Sequence, residues 1–353
     1  MKLLKNRTLS GILGAAALAG CAQAASFSAS TFATGAAVSG TSPDSILNAD
    51  GSLWVSYQNG ADSTGLSGSS TVVRYSWSGA VLNTWSIPGN VDGLRFDPAG
   101  GLVWALQNND GNAALTTINP GTAATAKYSY GSSYTNPSGR GFDDVQFTQN
   151  GTFLSETNPV TGTDPIVLRL TAGPSSGPLQ VTGILNSTFT GTNLATGKTA
   201  STTITDPDSL IAGPNGSLVL TGEADRELVF IHNPGAANQS ASFLMLSGVT
   251  GSPDDSVFPT SSKGYFYIAD AGGNTIYKLA ANGLAAGSAY VDIGSVFGEV
   301  SLSTGVVTPI FSGVSPHGVV FVSSVPEPAS IGFAAAGLLG LCVMIGRRKK
   351  RFA

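Results

Sequence analysis

The sequence predicts an all-β chain folded as a β-propeller, six-bladed by the count of its repeats, and three observations carry that expectation. Between its two tails the chain is rich in Gly, Ser, Thr and Val and has no long stretch with apolar residues at helical spacing. A short phrase recurs six times: PDSIL at 43–47, VDGLRF at 91–96, DDVQF at 143–147, PDSLI at 207–211, DDSVF at 254–258 and PHGVVF at 316–321. Behind each of the first five phrases a Gly turn leads into a second apolar run, then a third and a weaker fourth, so that four antiparallel strands recur every 46 to 64 residues, the make-up of a propeller blade.

Taken in order, the chain opens with a secretory signal peptide over residues 1–24. Lys2, Lys5 and Arg7 form its positive end, Gly11 to Gly20 its apolar stretch, and Ala22 and Ala24 flank Gln23 as a small-x-small cleavage site. A rival reading rests on Leu18-Ala19-Gly20-Cys21, which resembles the lipobox of bacterial lipoproteins and would make Cys21 the lipidated N-terminus.

Residues 25–324 form the propeller. The second runs follow glycines: Gly51 before Leu53-Trp54-Val55, Gly101 before Leu102-Val103-Trp104, Gly151 before Phe153-Leu154, Gly216 before Leu218-Val219-Leu220 and Gly264 before Tyr265-Phe266-Tyr267. The third runs are TVVRYSW, ALTTINPG, IVLRLTAG, LVFIHNPG and TIYKLAANG. The sixth phrase has no second or third run behind it, and residues 29–42 are expected to supply a closing strand from the other terminus. Five full blades with such a strand are the alternative. The two longest spacings are expected to hold insertions such as Ser187 to Thr203.

Residues 325–353 end the chain as VPEP, an apolar run and a basic cluster. Ala329 to Ile345 carry no charge and, as a helix, would span roughly 26 Å, enough for a single transmembrane helix. Arg347, Arg348, Lys349, Lys350 and Arg351 follow at once and, by the positive-inside rule, stay in the cytoplasm, which places the body on the far side of the membrane.

Two family resemblances follow from these residues. The stretch YIADAGGNTIYKLAANG, Tyr267 to Gly283, resembles the NHL repeat, a propeller-forming motif that the other units match only loosely. The tail resembles the PEP-CTERM sorting signal of Gram-negative bacteria in each of its three parts and in their order. That resemblance implies recognition by an exosortase and processing near Val325, Pro326, Glu327 and Pro328. It also implies a precursor held in the inner membrane, a mature protein at the cell surface or outside it, and exopolysaccharide or envelope proteins as partners.

Charge and cysteine usage narrow the function. Eight of the 17 basic residues lie in the tails, leaving nine against 20 acidic ones before Val325, a net charge near −11. Nucleic-acid binding, which needs clustered Lys and Arg, is excluded. Cys21 and Cys342 both fall in the tails, so the body has neither a disulfide nor a thiolate metal site.

The recurring phrase places Asp44, Asp92, Asp144, Asp208, Asp254 or Asp255, and His317 at the start of six inner strands, which in a propeller line the central channel. Such a ring can bind calcium or another divalent cation through six to eight oxygens. Equally, each Asp can satisfy backbone N–H groups in the turn that enters its strand. Lactonases of the gluconolactonase type resemble this architecture and hold one divalent metal near the axis; Glu156, Asn158, Asp208 and Asp254 are the residues available for such a role, with no motif to tie them together. Binding or scaffolding at the envelope is therefore the leading expectation, and a metal-dependent lactonase or other hydrolase the alternative. Four Trp residues, Trp54, Trp77, Trp85 and Trp104, fall in the first two units and read as core, with a sugar-binding face as the alternative.

Overall fold

Short apolar runs separated by Asp, Asn and Gly turns favour hairpins over helices, and the computed structural model of the protein is built of them. It describes residues 25–324 apart from 132–138, 175–176 and 286, so the signal peptide, with Cys21, Ala22 and Ala24, and the tail from Val325 to Arg351 and beyond lie outside the described residues. Among the described residues no helix is long and apolar enough to cross a membrane.

Six antiparallel sheets form the six blades of a β-propeller, and each of the six phrases is the innermost strand of one. Blade 1 runs Pro43–Ala49, Ser52–Tyr57, Ser69–Tyr75, Val81–Pro88 from the axis outward, and blade 2 Val91–Asp97, Leu102–Gln107, Ala114–Ile118, Thr125–Ser129. Blade 3 runs Phe142–Thr148, Gly151–Glu156, Pro165–Ala172, Gln180–Asn186. The first hairpin turns on Asp50 and Gly51, both at positive φ (47° and 65°), the conformation a two-residue turn between right-twisted strands requires.

Blade 4 (Pro207–Ala212, Leu218–Gly222, Glu227–His232, Ser240–Met245) carries the expected insertion. Thr188–Asn193 and Lys198–Thr203 form a hairpin that joins its outer edge through the parallel pairs Thr192↔Ser242 and Asn193↔Phe243.

Blades 5 and 6 depart from the sequence reading. The runs YFYIAD and TIYKLAANG belong to the sixth unit, not the fifth. Lys263–Asp270 pairs with the innermost strand Pro316–Ser323, Tyr265 opposite Val322, and Thr275–Asn282 lies outside it. Blade 5 is completed instead by Ala289–Ile293, Val296–Val300 and Val307–Ser312 around its inner strand Pro253–Val257. A strand does come from the other terminus: Ser26–Thr34 is the outermost strand of blade 6, antiparallel to Thr275–Asn282 from Ser26↔Asn282 to Thr34↔Thr275. Residues 35–38, inside the expected closing segment, are a short 3-10 turn instead.

The core is a ring of six apolar clusters, one between each pair of neighbouring blades. Trp54 and Trp85 stack at 4.9 Å between blades 1 and 2, and Trp104 meets Phe147 edge-on at the same distance between blades 2 and 3. Trp77 is 37% exposed and leans on Tyr267.

At the axis the third residue of the inner strand bridges to the next blade in blades 1, 3 and 5. Ser45 Oγ, Asp144 Oδ2 and Asp255 Oδ2 each accept the backbone N–H of the next blade's inner strand, from Leu94 at 2.9 Å, Leu210 at 3.1 Å and Val319 at 2.9 Å. In blades 2 and 6 the third residue of the inner strand is Gly93 or Gly318, where a Cβ would come within 2.2 Å of the Asp143 or Asp44 carbonyl oxygen. Gly93→Ala is therefore expected to push blades 2 and 3 apart and to cost about 1–3 kcal/mol, read as a lower denaturant midpoint with an unchanged slope.

Candidate cation site in the central cavity

All six inner strands share an irregularity that builds the site. In each, the pairing with the second strand slips by one residue across the phrase: Pro43 faces Tyr57 but Ile46 faces Val55, and the same slip occurs at Val91/Leu94, Phe142/Val145, Pro207/Leu210, Pro253/Ser256 and Pro316/Gly318. A bulge of this kind adds one unpaired residue and re-aims the side chains on it. Here it turns the second residue of each inner strand into the channel and the third toward the next blade.

The channel residues are Asp44, Asp92, Asp143, Asp208, Asp254 and His317, one per blade, around a cavity of about 440 Å³. In blade 3 this corrects the sequence reading, which placed Asp144 in the ring. Asp144 holds the third, blade-bridging position: it accepts the Leu210 N–H and pairs with Arg95, whose Nε also bonds the Val145 carbonyl at 2.9 Å. Asp44, Asp92, Asp208 and His317 line the cavity as the phrase predicted, and of the two candidates in blade 5 Asp254 joins the ring while Asp255 accepts the Val319 N–H of the next blade.

Residues just beyond the second strands, themselves lining the cavity, hold the carboxylates. Gln58 Nε2 donates to Asp92 Oδ1 at 3.0 Å, Thr157 Oγ1 donates to Asp143 Oδ2 at 2.8 Å, and Asn109 also bonds Asp143. Sequence reasoning missed these donors, whose one signal is a polar side chain directly after a second apolar run. Asn158, available in the lactonase reading, reaches the rim and donates to Asp110 at 2.6 Å. Glu156 does not reach the cavity: it is fully buried against Arg140, Nε to Oε1 at 2.5 Å. His232 is exposed and lies apart from the cavity, its Nε2 3.1 Å from Ser242 Oγ.

The electrostatics are one-sided. Ten carboxylates line the cavity, and no Lys or Arg among the described residues does. Burial, reinforced by repulsion between neighbours, holds the carboxyls of Asp44, Asp143, Asp208 and Asp254 well above the usual carboxylate range. Burial likewise pushes Asp92 and Asp255 up to about 6. Ligand oxygens of Asp92 and Asp143 lie within 4.8 Å of each other, an arrangement favoured when the pair shares a proton or meets a cation.

His317 Nδ1 sits 3.0 Å from Asp254 Oδ2 and 3.7 Å from Asp44 Oδ1. Burial draws its imidazole below the usual value, which leaves a neutral ring nitrogen at neutral pH. Carboxylates oriented by neutral donors, neutral amide oxygens and no internal cation form a donor set suited to a hard divalent ion. Arg95 pairs with Asp144 and Arg140 with Glu156, whereas no Lys or Arg ion pair reaches any of the six ring residues among the described residues.

No protein-family model and no curated protein sequence matches the chain. Among solved structures it is similar to a candidate gluconolactonase at 12% identity, over 84% of this chain and 86% of that one, with a TM-score of 0.54. It is also similar to virginiamycin B lyase from Staphylococcus aureus at 12% identity, over 85% and 94% of the two chains, with a TM-score of 0.51. At such identities the likeness lies in the fold: a six-bladed β-propeller.

Proposed function

We propose that the protein is an exported propeller that binds a divalent cation in its central cavity and uses that cation to hold an oxygen-rich ligand at the cell envelope. The observation that carries this reading is the ring of ionisable ligands, one from each blade, in a cavity lined by ten carboxylates and no Lys or Arg. A bound cation relieves the repulsion that the fold itself leaves in place, and its remaining coordination positions can take hydroxyl or carboxylate oxygens, the groups an exopolysaccharide presents.

Delivery rests on the sequence. Its VPEP motif, apolar run and basic cluster support handling by an exosortase, with the inner membrane holding the precursor and the cell surface or medium receiving the product. Pro316–Ser323, the innermost strand of blade 6, ends two residues before Val325, so cleavage near VPEP would leave all six blades intact. Co-expression with an exosortase is expected to yield a mature protein lacking residues after Pro328. Replacing Glu327 by Ala should leave the full-length precursor in the membrane fraction, and identical processing of both forms would refute this delivery route.

One observation favours a second reading, a metal-dependent lactonase or other hydrolase. His317, 46% exposed and 3.0 Å from Asp254, stands where a base could take a proton from a cation-activated water. A lactone-hydrolysis screen with added divalent cations separates the two. The binding reading expects no cation-dependent turnover, whereas hydrolysis that requires the cation and falls at least about a hundredfold in His317→Ala would establish the enzyme.

A further inference from the structure

The ring is not uniform, and its asymmetry has chemical content. Ligand atoms of Asp92, Asp143 and Asp208, from the consecutive blades 2, 3 and 4, lie within 4.8 Å of one another. So do those of Asp44, Asp254 and His317, from blades 1, 5 and 6, which are consecutive around the closed ring. An ion about 2.3–2.6 Å from each oxygen fits a trio of that spread. The six side chains therefore fall into two sets of three, each compact enough to hold one ion.

The sets differ in donor type. The first offers only oxygens, and its surroundings add to them. Asn90 lies two residues before Asp92, lines the cavity and is 5% exposed, and its Oδ1 has no hydrogen-bond partner. A buried carbonyl oxygen without a partner costs free energy unless something outside the protein meets it, and a cation is the natural candidate. Gln58 and Thr157 fix Asp92 and Asp143, and no donor among the described residues meets Asp208. The second set mixes two carboxylates with an imidazole nitrogen, a combination that suits zinc and similar transition ions better than calcium. Its His317 is half-exposed to the cavity, which gives an ion a way in.

We infer that the cavity holds two cation sites of different chemistry: an all-oxygen site for a calcium-type ion at Asp92, Asp143 and Asp208, and a mixed nitrogen and oxygen site for a zinc-type ion at Asp44, Asp254 and His317. This deepens the cation-binding reading and rests on it. A ligand bridging the two ions would be clamped at two points on the axis.

Native mass spectrometry of the chelator-stripped protein, titrated with zinc alone, calcium alone and both, tests it. The expected result is one zinc and one calcium bound together. His317→Asn should weaken zinc by more than about tenfold with calcium retained, and Asp208→Asn should do the reverse. Displacement of calcium by zinc in the unsubstituted protein, or equal weakening of both metals by either substitution, would mean one shared site: that overturns the two-site inference and leaves the cation reading standing. Binding of neither metal overturns both. The competition in the unsubstituted protein decides the matter even if a variant fails to fold.

Discussion

Stripped of divalent cations, the protein is expected to melt roughly 10 °C lower at about pH 8 than at about pH 5, and millimolar calcium should recover most of that loss. The direction follows from the raised carboxyls. A group whose folded-state pKa lies above its unfolded value near 4 carries no penalty below that value and costs stability as pH rises through the folded one. Asp92 and Asp255 are pushed up to about 6, so the loss begins between about pH 4 and 6, and it continues at higher pH because Asp44, Asp143, Asp208 and Asp254 are held well above the usual range. Asp92 and Asp255 each contribute on the order of 2 kcal/mol, the other four add in the same direction, and mutual coupling keeps the total below a simple sum. Calcium binds the ionised ring and should stabilise by about 3 kcal/mol at a hundredfold excess over its dissociation constant, with a smaller effect at pH 5, where protons compete. Melting curves with chelator or calcium across this pH range provide the check; a melting temperature that is flat or rises with pH in chelator would contradict the electrostatic account.

Removing residues 25–34 is expected to abolish cooperative folding. This strand closes the ring: it pairs along its whole length with Thr275–Asn282, sets Phe27 edge-on to Tyr290 of blade 5 at 6.4 Å, and packs Phe32 against Tyr267 at 5.0 Å and Tyr75 of blade 1 at 6.0 Å. Phe27 and Phe32 are half-buried, so their loss costs up to about 1.5–3 kcal/mol each, and the bared edge of Thr275–Asn282 adds an unpaired row of backbone groups. Against a total stability of about 5–15 kcal/mol, that removes a third or more. Size-exclusion chromatography and circular dichroism of the truncated protein are expected to show aggregation or a broad, early transition. A sharp melt within a few degrees of the intact protein would show that the other blades close without this strand.

These two predictions draw on features of unequal legibility. The inner strands were readable because a phrase such as PDSLI joins a turn-forming Pro-Asp to an apolar run, and that local chemistry recurs in every blade. The membership of blades 5 and 6 was not. YFYIAD and TIYKLAANG are good strands by composition wherever they pair, and only the register Tyr265↔Val322, spanning more than fifty residues, assigns them to the last blade. The same limit applies at Asp143 and Asp144. Two adjacent aspartates at a bulge escape the alternation that tells one face of a strand from the other, and the choice is made by Arg95 from the neighbouring blade. Gln58 and Thr157 are ordinary polar residues at strand ends, and they gain a role only when the second strands bring them to the ring.

The central claim, that the axis of this propeller is a cation site, is tested most directly by calorimetric titration of calcium into the chelator-stripped protein at about pH 7.5, beside a variant carrying both Asp92→Asn and Asp143→Asn. Saturable binding with a dissociation constant at or below the millimolar range, weakened more than about tenfold in the variant, is the predicted result. Absence of saturable binding by the unsubstituted protein at millimolar calcium, or equal binding by the variant, would contradict it.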